Sequence, residues 1–151
     1  MDSPVQAFSA KISTIIHATE DPGKVAQAIR SLSLGEMPMG STVNRAKGHH
    51  GNEIVTMIFT IRNAKNVEDF LRDIWSSLSE LDRTEIYSSL TSRIDGTGTL
   101  FLRIDKQEAL MGRIRLQDTD PIKIAISFRT MSAKGDGLVD NILRKLEGIQ
   151  G

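Results

Sequence analysis

Residues 122–130 place Ile122, Ile124, Ile126 and Phe128 at every second position, and successive side chains of a strand point to opposite sides. In a helix the same four residues would spread around the axis, so the run predicts a strand with one apolar side. Three further runs carry this pattern. Residues 5–17 set Phe8, Ala10, Ile12, Thr14 and Ile16 against Ser9, Lys11, Ser13, Ile15 and His17. Residues 53–62 set Val55, Met57, Phe59 and Ile61 against Ile54, Thr56, Ile58, Thr60 and Arg62, and residues 99–104 form a shorter strand. Four one-sided strands need helices to cover them.

The helical segments are there. Asp21-Pro22 gives a cap and a first-turn proline ahead of Val25, Ala28, Ile29 and Leu32. The strongest helix starts at the cap Asn66 and carries Val67, Phe70, Leu71, Ile74, Trp75 and Leu78 on one face. Asp82 with Glu85 opens a second helix bearing Ile86, Leu90 and Ile94, and Asp95-Gly96-Thr97-Gly98 turns the chain into the third strand. Asp105 with Glu108 caps a short helix to Met111 that Gly112 ends. Residues 113–117 and 122–130 read as the arms of a hairpin joined by residues 118–121, and a last helix runs from about Asp136 through Leu138, Val139, Ile142, Leu143, Leu146 and Ile149. Between Ser33 and Asn52 periodicity fails, and Gly35, Pro38, Gly40, Gly48 and Gly51 predict a long irregular loop. The expected order is β-α-β-α-α-β-α-β-β-α: one α+β domain over residues 1–151, a largely antiparallel sheet with helices packed on one face.

Composition narrows the function. The chain has no cysteine, which excludes disulfides, thiolate metal sites and cysteine nucleophiles. With no secretory leader pattern and no apolar run of membrane-spanning length, the expected location is the cytoplasm, away from any membrane. Lys+Arg 19 balances Asp+Glu 19, so attraction to a polyanion must come from local segregation of charge. Aromatic residues are only 5%, too few for several base-stacking platforms, while recognition of a structured RNA backbone stays open.

Turning the apolar side of each strand toward the helices leaves Lys11, Thr56, Thr60, Arg62, Arg103, Arg113, Arg115, Lys123 and Arg129 on the opposite side. Arginine and lysine there can hold phosphates without reading sequence, although any solvated antiparallel face carries such residues. Phe101 falls beside Arg103 and offers a surface for one base, or else a rim to the core. Arg113 and Arg115 alternate with Ile114 and Leu116, which places both on the side away from the core. The loop segment Gly48-His49-His50-Gly51-Asn52 has three readings: phosphate or base contact, a structural loop, or a metal or acid-base site completed by His17 and Glu20. No Gly-rich nucleotide loop with its lysine, Gly-x-Ser-x-Gly elbow or His-Glu-x-x-His motif is found.

His17-Ala18-Thr19-Glu20-Asp21, Gly48-His49-His50-Gly51-Asn52 and Leu102-Arg103-Ile104-Asp105-Lys106-Gln107 with Ala109 and Gly112 together resemble the signature segments of an archaeal family of predicted RNA-binding proteins or predicted exosome subunits, matching in order from about residue 5 to residue 130. The resemblance implies a fold like that of the ribosomal protein that binds 5S rRNA, and it carries no catalytic residues. The reading from sequence is therefore a non-catalytic RNA-binding module with no cofactor and no bound metal. Its expected contacts are Lys11, His49, His50, Asn52, Arg62, Phe101, Arg103, Lys106, Gln107, Arg113, Arg115, Lys123 and Arg129, and its expected partners are structured RNA with exosome or ribosomal components. The alternatives are an adaptor or homodimer using the open face with Ile15, Ile54 and Ile58, and a metal-dependent hydrolase at His17, His49 and His50.

Overall fold

In the computed structural model, which describes residues 4–32, 40–48, 51, 53–130 and 137–149, strand β1 (Val5–Ile16) organises the sheet. It pairs antiparallel with β3 (Glu53–Ile61) on one edge and with β5 (Ile122–Thr130) on the other. β2 (Gly40–Lys47) adds to β3 and β4 (Thr99–Ile104) adds to β5, so the order is β2-β3-β1-β5-β4 and every pairing is antiparallel. The register puts Ile12, Phe59 and Ile124 side by side, and Leu102 next to Ile124. All four are buried. One face of the sheet is thus the core face, as the alternation implies.

Among the described residues, six helices accompany the sheet. α1 (Pro22–Arg30) starts where the Asp21 side chain accepts from the Gly23 N–H, with Pro22 filling a first-turn position whose N–H would lack a partner anyway. α2 (Ala64–Ser77) buries Val67, Phe70, Leu71, Ile74 and Trp75, and Trp75 meets the Tyr87 ring edge-on at 5.4 Å. α3 (Glu80–Ser88) and α4 (Leu90–Arg93) follow, then α5 (Lys106–Leu110) and α6 (Leu138–Glu147). Asp105 caps α5 through the Glu108 N–H, and Gly112 after it takes the left-handed conformation at φ +77, as the sequence implies. Among the described residues, no helix is long and apolar enough to cross a membrane.

The fold class and the antiparallel sheet stand, while several local expectations change, among them the one helix expected to bear Ile86, Leu90 and Ile94, which is two, α3 and α4, with Ile94 beyond α4 in a bridge to Leu100. Part of the expected irregular loop is β2, an edge strand with Val43 as its one large apolar residue, held by its backbone ladder to β3. Residues 113–117 are not an arm of a hairpin with β5, because β1 and β4 already occupy both edges of β5. They fold back along the outer edge of β4, where the Asp105 N–H donates to the Arg115 carbonyl and the Gln117 N–H to the Arg103 carbonyl. Phe8 leaves the core face because a bulge between Ala7 and Ser9 inserts it as an extra residue, and Ala7 takes the buried position instead. The caps of α2 and α3 are Asn63 and Ser79, each three residues ahead of the expected Asn66 and Asp82. Asp82 instead accepts from the Leu116 N–H at 3.1 Å and ties α3 to the 113–117 segment.

Candidate nucleic-acid interface

The same register that builds the core orders the other face. Thr42, Ile58, Ser13, Lys123 and Arg103 form one row across the five strands, and Gly40, Thr60, Lys11, Ala125 and Phe101 form the next. Neighbouring strands stand roughly 4.8 Å apart, so Arg103 and Lys123 are direct neighbours, and Lys11 faces Phe101 across the small Ala125. Lys11, Arg103 and Lys123 make no ion pair or side-chain hydrogen bond among the described residues. Phe101 is 46% exposed beside them. Three cations that pair with no carboxylate among the described residues, next to an open aromatic ring, form a surface that can take phosphates and one base.

The remaining sequence candidates are placed differently. Arg62 lies exposed just past the end of β3. Arg129 donates to the Gln6 side chain at 2.9 and 2.6 Å and lies over the Phe8 ring at 5.3 Å, so its guanidinium is already engaged. Arg113 and Arg115 do share a side away from buried Ile114, but both donate to Glu108, at 2.6 and 3.4 Å. One carboxylate between two guanidinium groups leaves a single net positive charge there, at the outer edge of β4. Gln107 is exposed on α5. His49, His50 and Asn52 lie outside the described residues.

Lys106 is turned inward. It is 6% exposed, and its ammonium donates to the Ile15 carbonyl at 2.9 Å, to Glu20 at 3.1 and 3.2 Å and to Asp120 at 3.0 Å. These acceptors match the three donors of the ammonium, which makes burial of the charge tolerable. His17 Nε2 adds a 2.9 Å contact to Asp120, and the His17 N–H donates to Glu20. Burial would raise the Asp120 carboxyl, but the hydrogen bonds from His17 and Lys106 and their charges outweigh it and hold the group below the ordinary carboxylate value. His17, Glu20 and Asp120 bring ligand-type atoms within 4.8 Å of one another, so the expected proximity of His17 and Glu20 is real. The cation among them is Lys106. Sequence reasoning missed Asp120, since nothing in residues 118–121 marks its tie to Lys106; its positive φ of 46 is visible only in the fold.

The family described as RNA binding matches residues 9–128. The RNA-binding protein PAB1135 of Pyrococcus abyssi is 31% identical over 152 residues, covering 98% of this chain and 99% of that one. The crystal structure of protein AF2318 from Archaeglobus fulgidus superposes with a TM-score of 0.79 at 30% identity, across 93% of this chain and 99% of that chain. Protein SSO0741 from Sulfolobus solfataricus gives 0.71 at 30% identity, across 92% and 97%.

Proposed function

The chain belongs to the RNA-binding family, and we propose that it holds RNA phosphates on the open sheet face without catalysing a reaction on them. The observation that carries this reading is the group Lys11, Arg103 and Lys123, adjacent on one face with no carboxylate partner among the described residues. Uncommitted cations release counterions when they meet phosphates, and that term supplies affinity for any RNA sequence. Arg62 and the half-neutralised Arg113 and Arg115 extend the surface, while Gln107 lies beside α1 and would meet RNA away from the open face. The β2–β3 connection adds His49, His50 and Asn52, a reading that rests on their glycine-bounded sequence. An RNA-processing assembly of the exosome kind, or a ribosomal RNA particle, is the setting such a module suits, because it would position RNA while another subunit acts on it.

A second reading has its own observation: Ile15 and Ile54 on the same face are 42% and 40% exposed, as at a surface for a protein partner or a second copy. Binding to a structured RNA across a salt series, paired with mass measured against protein concentration, separates the two. Steep salt dependence by a monomer supports the phosphate-binding face. Concentration-dependent dimerisation without RNA affinity overturns it.

A further inference from the structure

At the end of the open face where β1 leaves the sheet, a groove of about 630 Å³ runs across Ile15, Thr56 and Pro121. Arg103 and Lys123 line it together with Asp118 and Asp120. Opposite charges in one groove would normally pair. Here they do not: Asp120 is bound to Lys106 and His17, while Asp118 is exposed and has no hydrogen bond or ion pair among the described residues. Phosphate on Arg103 and Lys123 alone does not account for such a groove, because it leaves the two carboxylates without donors. An apolar molecule would leave the charges unanswered. The groove calls for a ligand with an anionic group for Arg103 and Lys123, a flat apolar body for Ile15 and Pro121, and N–H donors for a carboxylate.

We propose that this groove takes the base of one unpaired guanosine of the bound RNA, its phosphate on Arg103 and Lys123 and its Watson–Crick edge on Asp118. The inference rests on the phosphate-binding reading of the open face and adds base selectivity to it. Guanine presents N1–H and N2–H side by side, a pair of donors that matches the two oxygens of a carboxylate. Adenine and cytosine present an amino group next to a ring acceptor, and uracil presents its N3–H between two carbonyls, so each sets a lone pair against Asp118. Selectivity comes from single-stranded or bulged nucleotides, whose edges are free to be read, while the stem is held through phosphates.

The test uses hairpin RNAs with one stem and one unpaired nucleotide set to guanosine, inosine, adenosine, cytidine or uridine, titrated with the full chain by fluorescence anisotropy. Guanosine should bind about tenfold more tightly than uridine, with inosine, which lacks the N2 amino group, in between; hydrogen bonds to charged groups are of that size. Asp118→Asn should bring the five RNAs within about twofold of one another with an unchanged salt slope. Equal binding of all five RNAs to the unaltered protein overturns the groove assignment and leaves the phosphate-binding face standing, and that comparison needs no variant to fold. If Asp118→Asn and Asp118→Ala tighten every RNA alike, the carboxylate only repels the backbone and the assignment again fails. Failure of the unaltered protein to bind any of the hairpins removes the phosphate-binding reading itself.

Discussion

Lys106 and Lys123 sit near the same end of the sheet and carry the same charge, yet their surroundings differ completely. Lys106 is buried with Glu20, Asp120 and the Ile15 carbonyl around its ammonium. Lys123 stands on the open face beside Arg103 with no partner among the described residues. The first lysine has its charge answered inside the protein and serves the fold. The second has no answering group among the described residues, and on the proposed reading its charge is left for a phosphate. What separates a structural cation from a binding one is its list of partners, which composition and sequence spacing do not reveal.

The packing on which both sites stand gives the largest expected effect. Trp75 is 1% exposed within the core, so Trp75→Ala should destabilise the protein by about 3–5 kcal/mol in denaturant unfolding. An unchanged midpoint would show that α2 does not anchor the sheet. Next is Lys106→Met, which leaves Glu20 and Asp120 facing each other without their cation. It should cost about 3 kcal/mol, the lower end for breaking a buried pair because Asp120 keeps contact with water, while RNA affinity per folded molecule stays the same. If affinity falls and stability does not, Lys106 belongs with Lys123 after all.

The same cluster sets a pH dependence. The Asp120 carboxyl is held below its ordinary value in the folded state, so its contribution is fully present above the unfolded value of about 4 and is lost as pH falls through the lower folded value. Chemical denaturation between about pH 5 and pH 2 should therefore show an acid-side loss of stability that is smaller in Asp120→Asn. Equal acid limbs in the two proteins would mean that the His17 and Lys106 contacts contribute nothing.

A smaller effect grades the arginines. Because Glu108 already answers part of their charge, Arg113→Gln and Arg115→Gln should each lower the salt slope of RNA binding by about half as much as Arg103→Gln does. Equal effects from all three would show that RNA displaces Glu108.

How much of this was legible in the sequence follows from where each residue's energy comes from. β3, β4 and β5 could be read because one side is buried under helices, and burial writes an apolar residue at every second position. β2 could not, since an edge strand held mainly by backbone bonds needs no such pattern and has only Val43. The bulge at Phe8 shifts the alternation by one residue, and the sequence shows only an apolar residue in an otherwise regular run. Of the proposed interface, the placement of Lys11, Arg103, Lys123 and Phe101 on the open face was legible through register, because alternation away from a buried side fixes which way a side chain points. Lys106 was not. Its partners come from β1, the turn before α1 and the turn before β5, and only the closed fold brings them together.

The central claim is that phosphates are held by cations the protein itself leaves unpaired. Its most direct test is the slope of log affinity against log salt for a structured RNA, measured for the unaltered protein and for Lys11→Gln, Arg103→Gln and Lys123→Gln. Each substitution lies on the solvent face and should change stability by less than about 0.5 kcal/mol. Each should lower the slope by about 0.9 if the contacted RNA is duplex, or by about 0.7 if it is single-stranded. Four coincident slopes, in proteins of equal stability, would contradict the account.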